Sequence, residues 1–135
     1  MIKEYIYNFL SRIYAFLKII IRNWEDEGLI LQAKTLMTSK DWKSSIKDVG
    51  RIEDKEFKVY SQFGDDGIIQ FLVSILNITN KYFIEFGVAD FFESNCHFLM
   101  VNNNWKGMVI DGSKKNIQRV KNSSIYSRYN LNAIN

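Results

Sequence analysis

Two acids and a glycine stand where a nucleotide could be held. Glu85 closes an apolar run, Tyr82-Phe83-Ile84, and Gly87 follows it. Asp111 closes a second run, Met108-Val109-Ile110. A glycine just after a strand lets the backbone turn sharply and approach a ligand with no Cβ in the way. A helix starting beyond it points free N–H groups at that ligand. An acid about 20 residues on, at the tip of the next strand, accepts hydrogen bonds from both hydroxyls of a ribose. Plainer roles fit the same residues. Gly87 also serves as a turn residue and Asp111 as the cap of a following helix, and Gly112 supports a tight turn under either reading.

These residues need strands and crossover helices to position them. The spacing predicts strand one at about Tyr82–Phe86 and strand two at about Gly107–Ile110, with a helix from about Glu93 to Asn102 between them. Asn77 to Asn80 and Asn102-Asn103-Asn104 read as turns. Upstream, Ser61 to Asn77 reads as a helix. Ser61 is its cap, Asp65 and Asp66 sit near its positive end, and Ile68, Ile69, Leu72, Val73 and Leu76 form its apolar stripe. Ser113 is placed to cap a short helix through Val120, and Ile125 to Leu131 reads as a third strand. Strands alternating with helices predict a parallel α/β sheet, with strand two beside strand one and the first turn at the carboxyl edge.

Residues 1–56 read as a helical N-terminal extension and 57–135 as the α/β domain. Ile2, Ile6, Phe9, Leu10, Ile13, Phe16, Leu17 and Ile20 recur at three- and four-residue steps, predicting an amphipathic helix over residues 1–23. Arg12 and Lys18 break the run too often for a bilayer span, and no small-residue cleavage site follows it. Such a helix either packs on the rest of the chain or a protein partner, or lies on a membrane surface, with Tyr5, Tyr7, Tyr14, Trp24, Lys3, Arg12, Lys18 and Arg22 suited to the latter. Trp24 to Lys47 reads as a further helix with a break at Gly28, and Asp48 to Glu56 as a polar linker.

Composition narrows the function. The chain has 135 residues, 47% hydrophobic and 24% charged, a globular balance that argues against disorder throughout. The net charge of +3 is too mild for the dense basic stripe of a nucleic-acid binder. One cysteine, Cys96, precludes an internal disulfide and fits a reducing cytoplasm. Cys96 and His97 are adjacent on a helix and point to different faces, with no second His or Cys to complete a metal site. The G-x-G-x-x-G loop of nicotinamide enzymes is absent after strand one.

Several motifs in order carry a resemblance: Tyr60-Ser61-Gln62-Phe63-Gly64-Asp65-Asp66-Gly67-Ile68, Phe83-Ile84-Glu85-Phe86-Gly87-Val88, Glu93-Ser94-Asn95, Trp105-Lys106-Gly107 and Ile110-Asp111-Gly112. Together they resemble FkbM-type S-adenosylmethionine-dependent methyltransferases over about residues 57–135. The resemblance implies a Rossmann-like class I methyltransferase fold, here an incomplete sheet of about three parallel strands. It implies methyl transfer to a hydroxyl of a sugar, glycan or polyketide-like small molecule. Glu85 and Gly87 would belong to the loop around the methionine part of the cofactor, and Asp111 would hold the ribose. Glu93, Ser94 and Asn95 would shape the start of the first crossover helix. Ser61, Gln62 and Asp66 would flank the cofactor pocket, although helix capping accounts equally well for that segment. No residue is assignable as the catalytic base.

Two departures matter. The family's loop is richer in glycine, and here Ala89 and Phe91 take the later positions. The chain also supplies about three of the family's roughly seven strands, so a truncated or split form is expected. Its isolated chain would bind S-adenosylmethionine poorly. The alternative is a non-catalytic remnant or interaction protein, cytoplasmic or peripheral at a membrane, held by its amphipathic helix.

Overall fold

The computed structural model describes residues 2–46 and 50–135. In chain order they form α1 (Ile2–Thr38), α2 (Lys40–Ser45), a 3₁₀ turn (Ile52–Lys55), α3 (Asp65–Ile75), β1 (Tyr82–Phe86), α4 (His97–Asn103), β2 (Lys106–Ile110), α5 (Lys114–Lys121), α6 (Ser124–Arg128) and β3 (Leu131–Ile134). The three strands lie in the order β1-β2-β3 and every pairing is parallel. Glu85 sits opposite Val109, and Val109 opposite Ala133.

Alternation along the strands divides the sheet into two unlike faces. Phe83, Val109, Leu131 and Ala133 point to the core face, where Leu99 and Met100 of α4 and Ile117 and Val120 of α5 pack on them. Gly107 belongs to this face because the Phe83 ring lies across it. A Cβ there would stand 2.1 Å from the ring. On the opposite face Ile84 and Phe86 are exposed, 55% and 72%, and Ile134 at the far edge is exposed as well.

A second, smaller core joins α1 to this layer. Ala33, Val59 and Phe98 are its buried members, with Leu29, Ile30, Met37, Phe57 and Tyr60 packed around them. The helix reaches this core only in its C-terminal half. Every residue from Ile2 to Ile19 is exposed.

Several boundaries differ from those expected. The helix does not break at Gly28. It continues to Thr38 and stops at Ser39, whose hydroxyl caps α2 by accepting from the Trp42 N–H at 3.1 Å. One glycine costs a helix only about 1 kcal/mol, which neighbouring turns easily offset. The expected helix end at Lys47 and linker start at Asp48 lie outside the described residues. Within that linker, Ile52–Lys55 forms the 3₁₀ turn and buries Lys55, whose ammonium lies 5.3 Å from the Phe71 ring centre.

The helix expected from Glu93 begins only at His97, for a reason given below. The third strand is Leu131–Ile134, not Ile125–Leu131. Ser123 caps a short helix there by accepting from the Tyr126 N–H, which lets Ile125, Tyr126 and Tyr129 pack on the core from a helical turn.

Candidate functional site

Glu85, Gly87 and Asp111 meet at the carboxyl edge of the sheet. The Gly87 N–H bonds the Ile110 carbonyl at 2.8 Å, one step beyond the β1–β2 ladder, and the Asp111 N–H bonds the Ile134 carbonyl at 3.1 Å. The chain then turns through three left-handed residues, Gly87 (φ 68°), Ala89 (φ 50°) and Phe91 (φ 64°). For Ala89 and Phe91 this conformation costs roughly 1 kcal/mol or more each, so surrounding contacts must hold it. They do so from both sides. The Phe91 ring is buried in the core, stacked 6.3 Å from Phe83 and 5.1 Å from His97, and the Ala89 N–H donates to the Asp111 carboxylate at 2.9 Å.

Asp111 therefore joins the two strand tips. Its Oδ2 accepts from Ala89, while its Oδ1 accepts from the Ser113 N–H at 2.8 Å and the Asn116 side chain at 3.1 Å. The Ser113 and Asn116 bonds, with the Ala89 bond after them, hold the carboxyl below its usual range, so the group is an anion near neutrality. A carboxylate offers about four acceptor positions. Asp111 is buried, and one acceptor position on Oδ2 has no partner among the described residues.

Glu85 faces the start of α4. It accepts from the Ser94 hydroxyl at 2.5 Å, from the Asn95 N–H at 2.9 Å and from the Cys96 N–H at 3.0 Å. These bonds hold residues 93–96 in a bend and delay the helix to His97. Ser94 and Asn95 thus do come together with Glu85, as the holders of its carboxylate. Glu93 is exposed on the bend. Burial, then the nearby Glu85 charge, raises the Cys96 thiol to about 12, so it stays protonated and is a poor nucleophile.

Ser61 and Gln62 lie on the segment before α3, which starts at Asp65 with Gly64 at its N-cap and not at Ser61 as expected, and Asp66 is in its first turn. Asp66 is buried, and its Oδ2 accepts from the backbone N–H groups of Val59, Tyr60 and Ser61 at 2.7, 2.7 and 2.8 Å and from the Ser61 hydroxyl at 3.0 Å. Ser61 returns the favour by accepting from the Asp66 N–H at 3.0 Å. The pair builds the 59–61 turn, with both side chains turned inward. Gln62 is exposed, its carbonyl accepting from the Lys58 ammonium at 3.2 Å. The turn does reach α4, because Tyr60 stacks on His97 with centroids 3.7 Å apart.

A separate cavity of about 350 Å³ opens beside that stack, lined in part by Asp26, Tyr60, Phe92, His97, Arg128 and Tyr129. Sequence reasoning missed it. His97 is buried, its Nδ1 bonds the Phe92 carbonyl at 3.2 Å, and its Nε2 has no partner among the described residues. Burial lowers its pKa to about 4, so the ring is neutral. Burial raises Asp26 and Tyr60 as well. Nothing local in the sequence pairs Asp26 with His97, since they meet only when α1 docks on α4. The described residues hold no cluster of acids, His or Cys able to bind a metal.

No family model matches the chain, and neither the curated proteins nor the solved structures contain a match to it.

Proposed function

We propose that this chain is the cofactor-side portion of an FkbM-type S-adenosylmethionine-dependent O-methyltransferase, acting on a hydroxyl of a sugar, glycan or polyketide-like molecule. One observation carries the reading. At the tip of β2, Asp111 is an anion with one acceptor position to spare, beside the left-handed turn that follows β1. A ribose hydroxyl reaching that oxygen would lie against the backbone of Gly87, where no Cβ intrudes. The sulfonium of the cofactor is already activated. What the protein must add is chiefly in-line placement of acceptor oxygen, methyl carbon and sulfur.

The affinity of this edge for the cofactor is low. A hydrogen bond to a charged group is worth roughly 1.5–3 kcal/mol net, and 1 mM binding already needs about 4.1 kcal/mol. Spectra of the amide groups, recorded with millimolar S-adenosylmethionine, test the proposal. Shifts should centre on Gly87, Ala89, Asp111 and Gly112, with a Kd no better than about 1 mM, and Asp111→Asn should remove them. An unchanged edge at saturating cofactor would refute cofactor binding. Micromolar binding would refute the low affinity.

A second reading is a non-catalytic interaction module. The use of Glu85 to hold the 93–96 bend through Ser94, Asn95 and Cys96 favours it, as does the burial of Phe91 where the family's loop carries glycine. Silence in the cofactor titration is the outcome this reading requires.

A further inference from the structure

The N-terminal half of α1 has no packing role in the fold, yet it is rich in large apolar side chains. Ile2, Ile6, Phe9, Leu10, Ile13, Phe16, Leu17 and Ile21 are exposed, between 39% and 78%, and Trp24 is 74% exposed. Placed at the helical repeat, they fall on one side with Ile20 and form an unbroken stripe. The stripe is wider than the ~100° of an ordinary core-facing face and far wider than a coiled-coil seam. Opposite it lie Glu4, Asn8, Ser11, Arg12, Lys18 and one apolar residue, Ile19, while Arg22, where the helix meets the domain, packs its guanidinium over the Phe92 ring at 3.8 Å. Tyr7 and Tyr14 fall along one border and Tyr5 along the other.

We propose that this half of α1 is an in-plane anchor for an anionic lipid surface. Four features select lipid over a protein groove or a second copy. The first is charge. Lys3, Arg12 and Lys18 outnumber a single acid, Glu4, so the segment is complementary to anionic headgroups. The second is the breadth of the stripe. Two copies pairing through it would bury only a central seam and leave its flanks wet. The third is the tyrosine borders, which place rings with one apolar and one polar end at headgroup depth. The fourth is length. About twenty residues span about 30 Å, but among the described residues no helix is long and apolar enough to cross a membrane, so the segment lies along the surface. The other half of α1 is held to the domain through Ala33, Leu29 and Ile30, which ties the α/β layer to the bilayer.

Flotation of the full chain with lipid vesicles tests this. Vesicles of phosphatidylcholine with phosphatidylserine should carry the protein, with Trp24 fluorescence shifting to the blue, and vesicles of phosphatidylcholine alone should carry far less. Replacing Arg12 and Lys18 together by Gln should weaken partition roughly 30-fold, at about 1 kcal/mol per basic residue. Phe9→Asp with Ile13→Asp should abolish it. Both sites are exposed, so urea unfolding of the α/β layer should be unchanged in that variant. Equal binding to both vesicle types, or to neither, would overturn the proposal. So would a dimer seen by sedimentation without lipid and dissolved by the same Asp substitutions, which would assign the stripe to a second copy. These readouts do not involve S-adenosylmethionine and are independent of the cofactor titration.

Discussion

Lowering the pH from 7 to 5 should destabilise the folded chain by about 2 kcal/mol through one group, His97. In the fold its pKa falls to about 4, against the ordinary value of 6.5. Burial is the dominant cause, and the positive charge of Arg22 adds to it, while the Phe92 and Phe91 carbonyls oppose it. The ring is gripped between Tyr60 and Phe91, so it cannot swing out to meet water. The folded pKa lies below the unfolded one, so between the two values the unfolded chain binds the extra proton. Stability is therefore complete above about pH 7 and is lost as the pH falls toward 4, to a limit of about 3 kcal/mol. Asp111, also held low, acts in the same direction further down the scale. Asp26, raised by burial, acts in the opposite direction, so the share of the chain's one histidine is read by comparison with a variant that lacks it. Urea unfolding at pH 7, 6 and 5, followed by the fluorescence of the buried Trp42 and Trp105, gives the midpoints. His97→Phe keeps a ring in the stack and removes the titration, so its midpoint should fall far less over this range. A flat profile in the unaltered chain, or an equal slope in the Phe variant, would refute the buried neutral imidazole.

Two further substitutions probe the scaffold. Asp66→Ala leaves the N–H groups of Val59, Tyr60 and Ser61 without their acceptor. At about 1 kcal/mol or more for each, it should lower stability in urea by about 3 kcal/mol or more, and a loss under ~1 kcal/mol would show that water replaces the carboxylate freely. Gly107→Ala sets a methyl against the Phe83 ring, 2.1 Å from its tip. Overpacking of this kind costs about 1–3 kcal/mol, part of which Phe83→Leu in the same chain should restore, and additive losses would show that the ring is not the obstacle.

The strands were readable because their signals are local. Tyr82–Phe86 is an apolar run bounded by turn residues, and its limits are those of β1. The acids at the strand tips followed from the same pattern. What they bond did not. Glu85 reaches across ten residues to hold the Asn95 N–H, and that long-range contact delays α4. The reading of Ile125–Leu131 as a strand failed because its apolar residues suit either period over so short a span. Only the Ser123 cap distinguishes the helix. The cavity at His97 was out of reach for a similar reason, since Asp26 contributes from a helix whose docking depends on Ala33, Val59 and Phe98.

Four rings run in a column from the sheet outward: Phe83, Phe91, His97 and Tyr60, spaced 6.3, 5.1 and 3.7 Å apart. The column gathers β1, the left-handed turn, α4 and the 59–61 segment. Its imidazole lies nearly parallel to both neighbours, at 10° from Tyr60 and 21° from Phe91. Circulating π electrons shield protons held over a ring face, so the carbon-bound protons of His97 should resonate well away from those of a solvated histidine. With one histidine in the chain, that pair of resonances is unambiguous. The molecule thus carries a built-in gauge of whether its sheet, turn and helix are assembled, readable from two lines of a proton spectrum without any label.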